Sequence, residues 1–276
     1  SAPILALEEP EAHLHPSAIR SLGSFLEKMT GQILVTSHSG DLVSRVPVMA
    51  LRRLYKHNGE TKIGRVENGV FADRELQAID YSIRLAKGHY LFSRCWLLVE
   101  GESDYHLMPL LFEAMDYSQD QISFSVLEFS QAFEKGESFI KLAKALGIQW
   151  FMMADGDQEG RGYIKRAKKH LENGKTITDR AVTLNNADIE HEFWRNGYSD
   201  FMLSMVLPQT RNQIDKQAAG DDAKKTKGLI DAAIKHAGGK PAFAQALAAE
   251  VRQRGADSIP QSIRVIITRV VQLAGG

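Results

Sequence analysis

The apolar residues of the chain fall into short runs separated by helical patterns, and several runs end directly at acidic residues. Continuous apolar runs of this length predict buried strands, here at residues 4–7, 33–36, 95–99, 150–154 and 181–184. A more alternating run at residues 122–129 predicts one further strand. Because strands that alternate with helices indicate a parallel sheet, the sequence predicts an α/β fold with helices flanking such a sheet.

The helical patterns have recognisable ends. Apolar residues at helical spacing predict helices at residues 17–29, 73–85, 139–146 and 163–171, with another after residue 100. Gly147 is typical of a helix end, and Asn58-Gly59 predicts the turn of a hairpin between residues 51 and 66. Beyond Ile189 the strand pattern stops, which predicts a helical region for the remaining residues.

Composition places the chain among globular proteins, since 43% of its 276 residues are apolar and 25% are charged. We expect no membrane-spanning helix and no signal peptide, because no apolar run reaches eighteen residues and the first residues lack a basic segment. The single cysteine, Cys95, is expected to be a buried core thiol. One cysteine excludes an internal disulfide and a cysteine-rich zinc site, and these features together favour the cytoplasm.

The charge balance limits how the chain can bind nucleic acid. It has 34 basic and 34 acidic residues, which argues against holding DNA by bulk electrostatics but leaves room for local basic patches. A solvated helix face is the simpler explanation of each patch. The two patches are Lys165, Arg166, Lys168 and Lys169, and Lys224, Lys225 and Lys227.

Four acids follow two of the predicted strands. Glu100 comes directly after residues 95–99, and Asp155 and Asp157 follow residues 150–154. Asp104 lies in the first turn of the next helix, where a carboxylate is well tolerated. Ligands of open parallel sheets gather beyond the carboxyl ends of the strands, so we expect these four side chains to lie together.

Such a group of carboxylates has a definite chemistry. The four charges repel one another unless a cation neutralises them, and all-oxygen ligation suits magnesium, manganese or calcium better than zinc. Two ions about 4 Å apart would stabilise the attacking and leaving oxygens of a phosphodiester displacement. The alternative is that these are merely solvated acids at polar strand ends.

The spacing resembles a Toprim domain. Val99-Glu100-Gly101 and, further on, Asp155-Gly156-Asp157 are similar to the signature of that fold, which is shared by topoisomerases, bacterial primases and several nucleases. The resemblance covers roughly residues 92–200. It implies a Rossmann-like parallel sheet with flanking helices, in a metal-dependent domain that acts on nucleic acid.

The first residues resemble part of a different fold. Residues 5–11 are similar to the Walker B strand of ABC-type ATPases, with Glu8 in the magnesium position and Glu9 as the base that orients water. His38 resembles the switch histidine. No Gly-x-x-x-x-Gly-Lys-Ser/Thr motif occurs, so residues 1–75 are not expected to hydrolyse ATP alone.

An ATPase end followed by a Toprim domain is the arrangement of the overcoming-lysogenization-defect (OLD) nucleases, which the chain resembles. The resemblance implies an ABC ATPase fragment at residues 1–75, a connection at 76–92, a Toprim domain at 93–200 and a helical region at 201–276. It implies DNA cleavage with two magnesium or manganese ions, an ATP-dependent longer parent, and a homodimer formed through the ATPase part, with no membrane partner.

The resemblance also extends the candidate site. Glu100 and Asp155 would hold one metal and Asp104 and Asp157 the second. Glu159 and Glu190 are further candidate ligands, although Asp188 and Glu192 compete with Glu190. Lys240 is the candidate for a cation that offsets charge on the phosphate, with Arg254 and Lys225 as rivals. Ser103 is expected to be a helix N-cap, and His106 and His191 could support the acids without acting as bases.

Two other functions fit parts of the pattern. A topoisomerase or primase could carry the same acids, although the sequence shows no sign of a DNA-breakage domain and its one cysteine excludes a zinc ribbon. Alternatively, the chain could be the regulatory end of an ABC-type ATPase with a structural cation site. We expect a nuclease.

Overall fold

The computed structural model describes residues 4–26, 28–86, 88–130 and 136–275. The predicted helix at residues 17–29 therefore includes one position, residue 27, that lies outside the described residues. Two compact units divide the chain: Ser1–Arg94 with Ala132–Gln149, and Cys95–Gln131 with Trp150–Gly276. We call them unit 1 and unit 2.

Unit 1 begins with two parallel strands, β1 (Ile4–Glu8) and β2 (Gln32–Thr36), joined through α1 (Pro16–Leu26). The prediction of buried strands is wrong here, because Ile4 is 69% and Leu34 56% exposed. The strand propensity of the apolar runs is realised, but no described element covers both faces of this two-stranded sheet. The short helix α2 (Gly40–Val43) follows β2.

The remainder of unit 1 contains the predicted hairpin, β3 (Arg53–His57) and β4 (Glu60–Gly64), which pair antiparallel. Asn58 and Gly59 both have positive φ, as a tight two-residue turn requires. Next come α3 (Asp73–Leu85) and α6 (Glu137–Leu146), which Gly147 ends at φ 67°. Arg53 donates hydrogen bonds to the carbonyls of Leu146 and Gly147, which satisfies the end of α6.

Unit 2 contains the predicted parallel sheet. Its order is β6-β5-β7-β8, from β5 (Cys95–Val99), β6 (Phe124–Glu128), β7 (Gln149–Ala154) and β8 (Ala181–Thr183). β5 is fully buried and its residues are almost all apolar, as expected of a strand covered on both faces. The prediction for Cys95 is confirmed, and burial raises the pKa of its thiol to about 12.

Helices surround this sheet, and α4 (Glu102–Ala114) packs against α12 (Lys240–Arg254). The helical region after residue 189 is confirmed. Its other helices are α8 (Ile189–Phe193), α9 (Ser199–Ser204), α10 (Pro208–Ala218), α11 (Asp222–Ala237) and α13 (Gln261–Ala274). Among the described helices, none combines the length and hydropathy that a bilayer-spanning segment requires.

Three local predictions need correction. The helix predicted at 163–171 is α7 (Gln158–Ala167), because the Asp157 carboxylate accepts from the Gly160 N–H and starts it earlier. Residues before β6 form the short helix α5 (Gln119–Ile122) rather than strand. Ser103 does not cap α4: Gly101 holds that position, and the Asp104 carboxylate accepts its N–H.

Candidate functional site

The predicted acids Glu100 and Asp155 lie at the carboxyl ends of neighbouring strands. β5 ends at Val99 and β7 at Ala154, so the next residue of each strand projects at the same edge of the sheet. The backbone N–H of Asp155 donates to Oε2 of Glu100 at 3.0 Å, which ties the two strand ends together. The two acids are thus held side by side, as the sequence predicts.

Asp104 lies beneath this edge in the first turn of α4. It is 4% exposed, and its Oδ2 accepts a hydrogen bond from the Gly101 N–H at 3.1 Å. Its other oxygen, Oδ1, is buried and has no partner in the described structure. A buried oxygen without a donor is costly, so this atom points to a ligand or ion that the site would hold.

Two acids after β8 approach the same place. Glu190 is buried, and its Oε1 accepts from the Ser103 hydroxyl at 2.5 Å. Asp188 caps α8 by accepting from the His191 N–H and lies 2.7 Å from Nδ1 of the same histidine. Ser103 therefore links the start of α4 to Glu190, a role that the predicted N-cap did not include.

A cleft of about 190 Å³ opens beside these acids. Its wall includes the predicted Lys240 at the start of α12 and also Asp231 on α11, which the sequence did not single out. Asp231 lies in the middle of a helix and does not follow a strand end, so no local pattern marks it. The cleft is lined by Gly101, Ser103, Asp104, Asp155, Asp188, Glu190, Ile230, Asp231, Ile234 and Lys240.

Burial and mutual repulsion disfavour ionisation of these carboxyl groups. Burial, followed by the charges of Glu100, Asp188 and Glu190, raises the pKa of Asp155 to about 8. Burial and the charge of Asp155 raise the pKa of Asp104 well above its ordinary value. Burial and Asp188 also raise the pKa of Glu190, against which the Lys240 ammonium acts. A positive charge in the cleft would relieve this repulsion.

Asp188 and His191 form a separate pair. Burial opposes ionisation of Asp188, but the hydrogen bonds from His191 outweigh it and lower the pKa of Asp188. The same hydrogen bond raises the pKa of the His191 imidazole. His106 lies 3.9 Å from Glu102, on the exposed side of α4.

Three predicted ligands do not line the cleft: Glu100, which accepts from the Asp155 N–H, and the two acids Asp157 and Glu159. Asp157 is exposed and its carboxylate caps α7, while Oε1 of Glu159 accepts from the Tyr163 hydroxyl at 2.8 Å. The structure thus gives both acids a local contact on α7. Their proposed role as ligands stays a prediction.

Glu192, a rival of Glu190 in the sequence, points elsewhere. It is 2% exposed, and its carboxylate accepts from the backbone and side-chain amides of Asn186 and from the Ser262 hydroxyl. The Asn186 carbonyl in turn accepts from the Gly156 N–H. Glu192 therefore supports the loop that holds the Asp155-Gly156-Asp157 turn.

The rivals of Lys240 have other partners. Arg254 pairs with Glu250 and donates to the Gly197 carbonyl, and Lys225 pairs with Asp215 at 2.6 Å. Of these three cations, Lys240 is the one that lines the cleft.

The chemistry of the cleft fits a hard divalent cation, because the donors are carboxylate oxygens and one of them, Oδ1 of Asp104, is buried without a partner. As placed, however, no three His, Cys, Asp or Glu side chains of the described residues are positioned to hold a metal ion. Rotation of the carboxylates would be needed to bring them onto a common point.

In unit 1, the Glu9 N–H donates to the Thr36 carbonyl at 2.9 Å, and the Glu9 carboxylate lies 3.5 Å from Nε2 of His38. Glu8 ends β1 opposite Thr36 in the register. The residues that resemble a Walker B acid, its following base and a switch histidine are therefore adjacent in space.

Comparison with known proteins agrees with this architecture. Residues 91–157 match the family described as "Overcoming lysogenization defect protein-like, TOPRIM domain". This segment is therefore similar to the Toprim domain of OLD-like proteins. Residues 1–89 match a family described as "Protein of unknown function (DUF2813)".

Individual relatives extend this result. The chain is 31% identical over 275 residues to the Uncharacterized protein YbjD of Escherichia coli K12. The matched region covers 99% of this chain and 48% of that protein. The chain therefore spans about half the length of this relative.

Solved structures show the same fold. The C-terminal region of the Xanthomonas campestris pv. campestris OLD protein matches at 22% identity with a TM-score of 0.52, over 67% of this chain and 97% of that one. The C-terminal region of the Burkholderia pseudomallei OLD protein matches at 22% identity and TM-score 0.52, over 66% and 99%. The predicted α/β, Toprim-like fold is thus confirmed.

Proposed function

We propose that unit 2 is a divalent-metal-dependent nuclease that hydrolyses phosphodiester bonds of DNA with two magnesium or manganese ions. The observation that carries this proposal is the buried, unpartnered Oδ1 of Asp104 beside Glu100 and Asp155. A carboxylate in this position costs stability unless it serves a ligand. The OLD-like Toprim domain supports the same reaction class.

The roles follow from the positions of the side chains. Glu100, Asp104 and Asp155 would be the central ligands, with Glu190 beside them and Asp157 and Glu159 completing the set after rearrangement. Bound divalent ions would supply charge neutralisation at the phosphodiester and an activated water. Ser103 orients Glu190 by its hydrogen bond, and the Lys240 ammonium would stabilise negative charge on the phosphate oxygens.

A plasmid-nicking assay with the 276-residue chain tests this function. We expect nicking with magnesium or manganese and none with chelator. Asp155→Asn should lower the nicking rate by roughly 100-fold or more, because it removes a charged ligand at the reacting centre. The matched control Asp200→Asn, at an exposed aspartate on α9, should nick at the wild-type rate.

Other outcomes would assign a different function. Unchanged nicking by Asp155→Asn would show that the site is assigned wrongly. Metal binding by calorimetry without any cleavage would favour the regulatory end of an ATPase, and rejoining of cut plasmid or primer synthesis would favour a topoisomerase or primase.

For unit 1 we propose the end of an ABC-type ATPase, in which Glu8, Glu9 and His38 contact magnesium and ATP in a longer, homodimeric parent. The 3.5 Å approach of His38 to Glu9 supports this assignment. In a full-length parent, Glu9→Gln should retain ATP binding and lose ATP hydrolysis.

A further inference from the structure

A row of cations lies along the exposed surface of α7, directly after the acidic turn. Arg161, Lys165 and Lys168 are spaced by four and three residues, which places them on one face of a helix. Each is exposed, and the exposed Lys169 adjoins them. The helical backbone continues from α7 through a short 3-10 turn at Lys168–His170, so the row is unbroken. We call Arg161, Lys165, Lys168 and Lys169 the α7 stripe.

The stripe begins at the candidate site. Asp157 caps α7, and the Arg161 guanidinium folds back to donate to the Gly156 carbonyl at 2.7 Å. Arg161 is therefore anchored to the turn that presents Asp155. At 1.5 Å per residue, the path from Arg161 to Lys168 is roughly 10 Å long. This length corresponds to about three successive phosphates of one DNA strand, at 3.4 Å of axis each.

The cations of the α7 stripe have no ion-pair partner among the described residues. Lys165, Lys168 and Lys169 form no ion pair with any described residue, whereas the nearby Arg180 is paired with Glu172. Like charges at this spacing repel one another along a helix. Favourable interaction with the carboxyl end of the helix accounts for Lys165 in the last turn, but not for Arg161 near the helix start.

We propose that the α7 stripe is the docking surface for the phosphate backbone of the nucleic acid that the acidic cleft cleaves. The inference rests on the proposed function, because it names the surface that brings substrate to that same site. Repulsion by the acidic cleft would otherwise keep a polyanion away, and the stripe supplies attraction beside it. Contacts to phosphates give affinity without sequence preference, so we expect binding to any duplex.

Fluorescence anisotropy with a labelled 20-base-pair duplex in chelator tests the surface. The double variant K165E/K168E should bind at least about tenfold more weakly than the unchanged chain, and the slope of log K against log salt should fall by about 1.8, which is 0.9 per lost phosphate contact. The control K56E/K216E reverses two exposed lysines that also lack ion pairs with described residues. It should bind as the unchanged chain does.

Cleavage kinetics separate this inference from the proposed function. K165E/K168E should raise KM and leave kcat nearly unchanged, whereas Asp155→Asn should bind the duplex normally and nick it at least about 100-fold more slowly. If K165E/K168E and K56E/K216E bind equally well, or if the unchanged chain does not bind, the α7 stripe is not the docking surface. The nicking result is unaffected by either outcome. Stripe-dependent binding without nicking would instead overturn the proposed function.

Two further measurements test whether the variant is misfolded and whether the α7 stripe binds a membrane instead of DNA. Thermal unfolding checks that K165E/K168E is folded, and K165Q/K168Q, which adds no negative charge, should give a smaller loss of affinity in the same direction. Flotation with phosphatidylserine vesicles tests an anionic membrane as the partner. Vesicle binding that depends on the stripe, with unchanged DNA binding, would refute the assignment to nucleic acid.

Discussion

At the residue scale, the site is defined by carboxyl groups held where their charge is unfavourable. Asp104 is buried with one oxygen unpartnered, and Asp155 shares the edge of the sheet with Glu100. Such an arrangement lowers the stability of the metal-free chain. It persists in many functional sites because the same groups gain favourable interactions when the ligand binds.

This strain predicts a dependence of stability on pH. The pKa of Asp155 is about 8 in the folded chain, above the 3.8 of an unperturbed carboxyl group. The folded state therefore binds the proton more tightly than the unfolded state. The contribution of Asp155 to stability is fully present below about pH 4 and is lost as the pH rises toward 8. Because Asp155 is only partly buried, we expect a loss on the order of 1–3 kcal/mol rather than the full value of the shift.

Denaturant unfolding in chelator at pH 5 and pH 9 measures this effect. Asp155→Asn carries no charge, so it should be close to the unchanged chain at pH 5 and more stable at pH 9. If the difference in stability between the two proteins does not vary with pH, ionisation of Asp155 does not destabilise the folded chain.

At the element scale, the loop after β8 acts as a support for the turn after β7. The Gly156 N–H donates to carbonyls of Asn186 and Ala187, and a side chain at Gly156 would meet the Asn186 carbonyl at 2.2 Å. Only glycine leaves room for this close approach. The Glu192 carboxylate accepts hydrogen bonds from the backbone and side-chain amides of Asn186, which fixes the position of the loop.

Glu192→Gln tests this support. The NH₂ group of glutamine would face the N–H and O–H groups that now donate to the carboxylate. We therefore expect the free energy of unfolding to fall by about 1–3 kcal/mol and manganese to bind more weakly. Glu113→Gln, at an exposed ion pair with Arg252, should change stability by less than about 0.5 kcal/mol. Normal manganese affinity in Glu192→Gln would show that the loop does not position the site.

The same elements show what the sequence could predict. The runs that became β5 and β7, and the acids that follow them, were identifiable because a buried strand and its end follow from local pattern, whereas the order of the strands in the sheet does not. The exposure of β1 was not, because burial depends on neighbours. Asp231 and the support by Glu192 depend on how α11 and the loop after β8 pack, which residue spacing does not encode.

At the scale of the whole molecule, a net charge of zero hides a separation of charge within unit 2. Acidic side chains concentrate in the cleft, and lysines without ion pairs to described residues lie on α7 and on the 3-10 turn that follows it. The chain spans about half of its relative from Escherichia coli, so control by ATP is proposed for the longer parent and not for this chain. Metal binding, by contrast, is a property that the chain should display itself.

Thermal unfolding with manganese tests that property for the whole chain. A ligand that binds only the folded state stabilises it by about 2.7 kcal/mol at 100 times its Kd, so Tm should rise with manganese concentration. Asp104→Asn should abolish the rise, because its buried oxygen would no longer carry the charge that the ion requires. The exposed control Asp200→Asn should retain it. Manganese is expected to delay unfolding of unit 2 specifically, which hydrogen exchange can resolve; equal protection of units 1 and 2 would place the ion elsewhere.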